Sequence, residues 1–111
     1  MGYSKHDIHL VDFNPAKGGE MGKLRPAIIM SHDDDNEILS TVMVIPLSTQ
    51  IEPNALPYRF TLSAREKLDK ESDACINEIR SLSKTRIKEK IATIHADEAK
   101  IITQALCGLI Q

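Results

Sequence analysis

Apolar and polar positions alternate along much of the chain. Asp7-Ile8-His9-Leu10-Val11-Asp12-Phe13 sets β-branched and aromatic residues at near-alternate positions, which predicts a half-buried first strand ended by Asn14-Pro15. Ala27-Ile28-Ile29-Met30 is continuously apolar and predicts a strand covered on both faces. The acidic segment His32-Asp33-Asp34-Asp35-Asn36-Glu37 predicts a solvated hairpin tip, since nothing after it supplies the glycine and bidentate glutamate of a calcium loop. Thr41-Val42-Met43-Val44-Ile45 is the most β-like run and predicts a central strand stopped by Pro46, with Tyr58-Arg59-Phe60-Thr61-Leu62 as a fourth. Ser63 through Leu68 holds good helix formers and predicts one short turn capped by Ser63. Ala74 through Leu82 reads as a fifth strand leading into the basic stretch Lys84–Lys90, and Ile91-Ala92-Thr93-Ile94 as a last short one. From Asp97 to Ile110 the period changes to helical. Ile102, Ala105, Leu106 and Leu109 share one face, and Asp97 and Glu98 sit in the first turn, where the helix dipole favours acids. Strands followed by a terminal helix predict a largely antiparallel sheet with the helix packed on it.

Length and charge narrow the class. At 111 residues the chain suits one domain with a single modest core. A formal net charge of -2 removes the simplest mark of a nucleic-acid binder, so any such function depends on where the cations are placed. The basic stretch Lys84–Lys90 fits either a nucleic-acid face or a solvated surface. There is no apolar run long enough to span a membrane, and no h-region follows Met1-Gly2-Tyr3-Ser4-Lys5-His6, which predicts a cytoplasmic protein. Cys75 and Cys107 stand alone, which predicts small reduced core residues and no metal site.

The candidate chemistry centres on Gly18-Gly19-Glu20-Met21-Gly22-Lys23-Leu24-Arg25-Pro26. The glycines permit turns that other residues avoid, and Pro26 biases Arg25 toward an extended conformation at the mouth of a strand. A guanidinium there suits bidentate grip of a phosphate or carboxylate. Leu47-Ser48-Thr49-Gln50 brings two hydroxyls and an amide to the end of the central strand. If the two loops meet, Arg25 and a hydroxyl at Ser48 or Thr49 converge on one oxyanion without a metal. RNA suits such a site, because its own 2′-hydroxyl is the nucleophile and the protein need only align it and stabilise the developing charge. The histidines His6, His9, His32 and His95 are spaced poorly for an acid–base pair.

Four blocks in order resemble the MazF/PemK family of toxin endoribonucleases over nearly the whole chain. They are Asp7 through Pro15, Gly18 through Ala27, Val44-Ile45-Pro46-Leu47-Ser48-Thr49-Gln50, and Glu78-Ile79-Arg80-Ser81-Leu82-Ser83-Lys84-Thr85-Arg86-Ile87. The second is similar to the family's glycine-rich loop ending in Arg-Pro, the third to its Pro-x-Thr-Thr-Gln block and the fourth to its Gln-Ile-Arg block. The resemblance implies one toxin domain over residues 1–111, mainly β with α: a small SH3-like β-barrel, mostly antiparallel, with short helices and a C-terminal helix. It implies a homodimer that cleaves single-stranded RNA without metal or other cofactor, leaving 2′,3′-cyclic phosphate and 5′-hydroxyl ends. It implies also a cognate antitoxin whose acidic, flexible segment covers the RNA groove.

On this reading the catalytic residues are Arg25 and Ser48. The RNA-binding residues are Lys17, Gly19, Glu20, Lys23, Thr49, Gln50, Glu78, Arg80, Lys84 and Arg86, with Glu20 serving alternatively as a loop anchor. Ser48 replaces the family's threonine, and Met21 and Glu78 stand where it usually has glutamine. Ser48 keeps the hydroxyl but lacks the methyl that restricts a threonine rotamer. A carboxylate at Glu78 repels phosphate unless it pairs with a neighbour such as Arg80 or Lys84. Tyr3, Phe13, Tyr58 and Phe60 are the aromatic surfaces available for unpaired bases. The alternatives are a catalytically weakened member, a CcdB-like toxin that binds gyrase without chemistry, and a purely structural barrel.

Overall fold

The structure is a computed structural model that describes residues 2–13 and 24–111. The strands are β1 (Asp7–Asp12), β2 (Leu24–Ile29), β3 (Thr41–Ser48), β4 (Arg59–Leu62), β5 (Ser72–Cys75), β6 (Arg80–Ser83) and β7 (Ile87–Thr93). Helix α1 (Asp33–Ile38) lies between β2 and β3, and α2 (Ala96–Ile110) closes the chain. The sheet runs in the order β4-β5-β3-β2-β1-β7 with β6 also on β3, and every pairing is antiparallel.

The long strand β3 is the axis of this sheet. One edge pairs with β2, while the other pairs with β6 over Thr41–Val44 and with β5 at Leu47 and Ser48. Pro46 therefore does not stop the strand, contrary to expectation. Met43 turns its carbonyl toward Met30 on the β2 side, so Pro46, three residues on, turns its nitrogen to the opposite edge. There it falls between the β6 and β5 pairings, and its missing N–H interrupts neither ladder. The same geometry divides the expected fifth strand. Between Val44 and Leu47, β3 advances three residues, while the paired chain advances six from Ala74 to Arg80. A 3₁₀ turn at Ile76–Glu78 takes up the excess.

Alternation gives the sheet two apolar faces. On one, Ile8, Ile28, Ile45, Leu47, Leu62 and Ala74 pack with α2 through Ala99 and Ile102, flanked by Ala105, Leu106 and Leu109. This is the helical face expected from the sequence. On the other, Val11, Ala27, Ile29, Val42, Val44, Leu82 and Ile87 cluster under Tyr3 and Phe13.

Three local expectations are corrected. The segment His32–Glu37 is not a hairpin tip but the start of α1, where His32 Nδ1 accepts from the Asp34 N–H at 3.2 Å and three aspartates occupy the first turn. Asn36 is buried and donates to the carbonyls of Tyr3 and Ser31, which fixes this turn to the sheet. Ser63–Leu68 forms no helix: Arg65 and Leu68 exchange backbone hydrogen bonds, each 2.8 Å, in a tight turn. Burial of Leu68 and the pairing of Arg65 with Glu98 on α2 outweigh the local helix preference. Cys75 is a core residue, and burial pushes its thiol up, but Cys107 is exposed on α2. Among the described residues no helix is long and apolar enough to cross a membrane.

Candidate active site

Arg25 lies in β2 directly opposite Val11 of β1, and it is exposed. On its other side β2 pairs with β3 as Ala27↔Pro46, Ile28↔Ile45 and Ile29↔Val44. Continuing that antiparallel register by two residues sets Arg25 opposite Ser48, and residues directly opposite share one face of a sheet. Both therefore project on the face that carries Val42 and Val44. They border one cleft of about 500 Å³ with Leu24, Pro26, Leu47, Thr49 and Gln50. Of the first of the two stretches singled out from the sequence, Leu24, Arg25 and Pro26 reach this cleft, and the second borders it through Leu47–Gln50.

The Ser48 hydroxyl oxygen accepts from the Gln50 N–H at 3.1 Å. That bond occupies a lone pair and leaves the hydroxyl hydrogen available as a donor. Beyond Ser48 the chain leaves the sheet, so alternation no longer sets the direction of Thr49. Thr49 borders the same cleft as Ser48.

The remaining candidates distribute unevenly. Arg80, paired with Val44, is on the Ser48 face, and its guanidinium lies 5.2 Å from the centroid of the Phe13 ring. Arg86 Nη1 donates to the Asp12 carbonyl at 3.1 Å, at the end of β1 beside Arg25's neighbour Val11. Lys84 is not near the cleft. It follows β6 at the Thr41 end of β3, roughly 23 Å of strand from Ser48 at ~3.3 Å per residue. It lines another depression, of about 640 Å³, with Tyr3, Asn36, Asp33 and Glu37. That depression is the larger of the two, but its acidic wall makes it unfit for a polyanion. Glu78 is exposed in the 3₁₀ turn and among the described residues makes no ion pair with Arg80 or Lys84. Lys17, Gly19, Glu20 and Lys23, like Met21 and the other loop glycines, lie outside the described residues.

None of the four histidines borders the cleft. His9 is buried within β1, with Nδ1 on the Lys88 carbonyl at 2.8 Å, and His95 is the N-cap of α2. Among the described residues no group of three or more His, Cys, Asp or Glu side chains is placed to hold a metal ion.

Asp73 and Arg59 belong to this region and were not anticipated. Asp73 is paired with Ser48 across β3 and β5, and with Thr61 across β5 and β4, and it has no exposed surface. Burial pushes its carboxyl up, but hydrogen bonds from Thr61, the Glu52 N–H and Arg59 outweigh that and hold it below the ordinary value. The signal in the sequence was slight: Asp73 closes the charged run Asp69-Lys70-Glu71-Ser72-Asp73, and only its place directly before the apolar Ala74-Cys75-Ile76 marks it as a carboxylate that needs partners.

A guanidinium and a hydroxyl bordering one cleft at the end of a strand pair, on one face of an antiparallel sheet with a terminal helix, define a small β protein with a polar cleft. Residues 4–110 match the PemK-like, MazF-like toxins of type II toxin-antitoxin systems, and the chain belongs to that family. It is 32% identical over 101 residues to an endoribonuclease MazF of Staphylococcus saprophyticus, covering 90% of this chain and 84% of the relative. Its fold matches MazF from a MazE-MazF crystal structure of Deinococcus radiodurans, with a TM-score of 0.80 at 23% identity and coverage of 97% and 95% of the two chains. It also matches a mycobacterial endoribonuclease solved with its cognate antitoxin, with a TM-score of 0.77 at 16% identity and coverage of 98% and 95%.

Proposed function

We propose that this chain is an endoribonuclease toxin that cleaves single-stranded RNA, with Arg25 and Ser48 at the reacting phosphate. The observation that supports this reading most directly is the β2–β3 register, which on continuation aligns the Arg25 guanidinium with the Ser48 hydroxyl over one cleft. In the reaction the substrate 2′-oxygen bonds to phosphorus as the bond to the 5′-oxygen breaks. The 2′-hydroxyl gives up a proton and the leaving 5′-oxygen gains one. Negative charge builds on the nonbridging oxygens. Arg25 meets that charge with a planar fork that stays protonated near neutrality, and Ser48 adds a hydroxyl donor. The products are a 2′,3′-cyclic phosphate and a 5′-hydroxyl, formed without a metal.

Arg80 extends positive charge along the face that carries the cleft, with the Phe13 ring under it as an aromatic surface, and Arg86 adds a cation at the end of β1. They guide the RNA strand with Thr49 and Gln50, and with Lys17, Gly19, Glu20 and Lys23. The chain acts as one toxin domain over residues 1–111, works as a homodimer in the cytoplasm, and is neutralised by a cognate antitoxin whose acidic segment occupies this cationic face.

The test is to incubate purified protein with end-labelled single-stranded RNA in excess chelator and to map both new ends. Cleavage with cyclic phosphate and 5′-hydroxyl ends is expected. A protein that halts growth but leaves RNA intact overturns the nuclease reading in favour of a binding toxin.

A further inference from the structure

The Ser48 turn is held from behind by charge. Asp73, fully buried, accepts from Thr61 Oγ1 at 2.6 Å, from the Glu52 N–H at 2.8 Å and from Arg59 Nη1 at 3.4 Å. The same Arg59 Nη1 donates to the Gln50 carbonyl at 3.0 Å. One ion pair thus grips the turn at Gln50 and at Glu52, and the Gln50 N–H returns to the Ser48 hydroxyl oxygen at 3.1 Å. The polar linkage runs from a buried carboxylate to the hydroxyl at the cleft.

Two physical points give this linkage a purpose. A buried carboxylate is rarely the most stable way to fill a space, since an apolar residue of that volume avoids the desolvation cost. A serine, unlike a β-branched residue, does not restrict its own χ1, so the direction of its hydroxyl must be set from outside the side chain. The Gln50 N–H sets it here, and Asp73 with Arg59 sets Gln50. Asp73 also faces Ser48 across the strand pair, where a bare carboxylate repels a phosphate. Its three donors absorb that charge, so it acts on the turn and not on substrate.

We propose that Asp73, through Arg59 and the Glu52 amide, is a positioning residue that fixes the Ser48–Gln50 turn and aims the Ser48 hydroxyl at the scissile phosphate. The inference rests on the endoribonuclease reading above. Asp73→Asn and Arg59→Ala are made in the wild type and in Ser48→Ala and Ser48→Thr backgrounds. Amide hydrogen exchange and single-turnover cleavage of one RNA are then measured, with thermal unfolding as the check on folding.

In both variants the Gln50 and Glu52 amides should exchange about tenfold faster while β3 amides stay protected. Misaiming one donor should lower the rate at saturating RNA by about ten- to a hundredfold. KM should stay within about twofold, the mark of an interaction made in the transition state. The loss should vanish in Ser48→Ala and be largely restored by Ser48→Thr, whose stiffer side chain needs less outside restraint.

Unchanged amide exchange overturns the proposal. So does an unchanged rate with loosened amides, or an equal loss in the Ser48→Ala background. Should Asp73→Asn fail to fold, Arg59→Ala decides on the same readings, because its side chain is partly exposed. A wild-type protein that leaves RNA intact fails the nuclease reading and this inference with it, whereas the outcomes above fail this inference alone.

Discussion

At the scale of single residues, Arg25 and Ser48 divide the work on the proposed reacting group. Arg25 is exposed and carries little packing, so Arg25→Ala should fold normally and lose cleavage, and Arg25→Lys should recover little because an ammonium cannot reproduce the bidentate fork. Circular dichroism and an RNA assay on both variants check this. Retained cutting by folded Arg25→Ala sinks the assignment. Ser48→Ala should lose roughly a hundredfold or more in turnover, the scale of one preorganised donor, and Ser48→Thr should be tolerated. Thr49 borders the same cleft, but among the described residues no hydrogen bond aims its hydroxyl, so Thr49→Ala should cost much less. An inactive Thr49→Ala beside a nearly normal Ser48→Ala would move the catalytic hydroxyl by one position.

At the scale of elements, α2 locks the face of the sheet away from the cleft. Ile102 is fully buried there, so Ile102→Ala should destabilise by about 2–5 kcal/mol, measured by urea unfolding, while leaving the cleavage rate of the folded fraction intact. This helix was legible because its apolar period extends over several turns, β1 and β4 because alternation marks half-buried strands, and β2 and β3 because short β-branched apolar runs mark buried ones. Helix α1 was not, since its six residues carry no apolar stripe and its place depends on a His32 cap and a buried Asn36 that reaches Tyr3. The division of β5 from β6 was equally hidden, because it follows from two strands sharing one edge of β3 with an offset of three residues. At the site, the residue types of Arg25 and Ser48 were readable as blocks. Their alignment is a property of strand register, and the Asp73–Arg59 pair joins positions fourteen apart that only the β4–β5 hairpin brings together.

At the scale of the whole molecule, paired carboxylates tie stability to pH. Arg65 holds the Glu98 carboxyl below its ordinary 4.5, against the opposing effect of burial, and the Asp73 carboxyl lies below its ordinary 3.8. Groups lowered on folding contribute stability above their unfolded values, and that contribution is lost as pH falls through the folded ones. Urea midpoints should therefore hold down to about pH 4.5 and drop below it, and Glu98→Gln should flatten part of the drop. RNA binding should weaken with salt, and Arg80→Ala, tested by fluorescence anisotropy in the inert Ser48→Ala background, should reduce the log–log salt slope by about 0.7, one phosphate contact on a single strand.

The β2–β3 register has a further consequence for inheritance. The two-residue alternation that faces Arg25 toward Ser48 also buries Ala27, Ile29, Val42 and Val44. A slip of one residue exchanges those side chains with Ile28 and Ile45 of the opposite face, so the lesion that misaligns the pair also misfits both clusters. In a culture freed from this toxin by mutation, survivors with a frame-preserving insertion or deletion inside β2 or β3 should contain no folded protein. Those that still make a folded chain able to capture its antidote should instead carry point changes, concentrated at Arg25 and Ser48. Sequencing such escapees and sorting them by antidote capture would read the strand register from a pedigree.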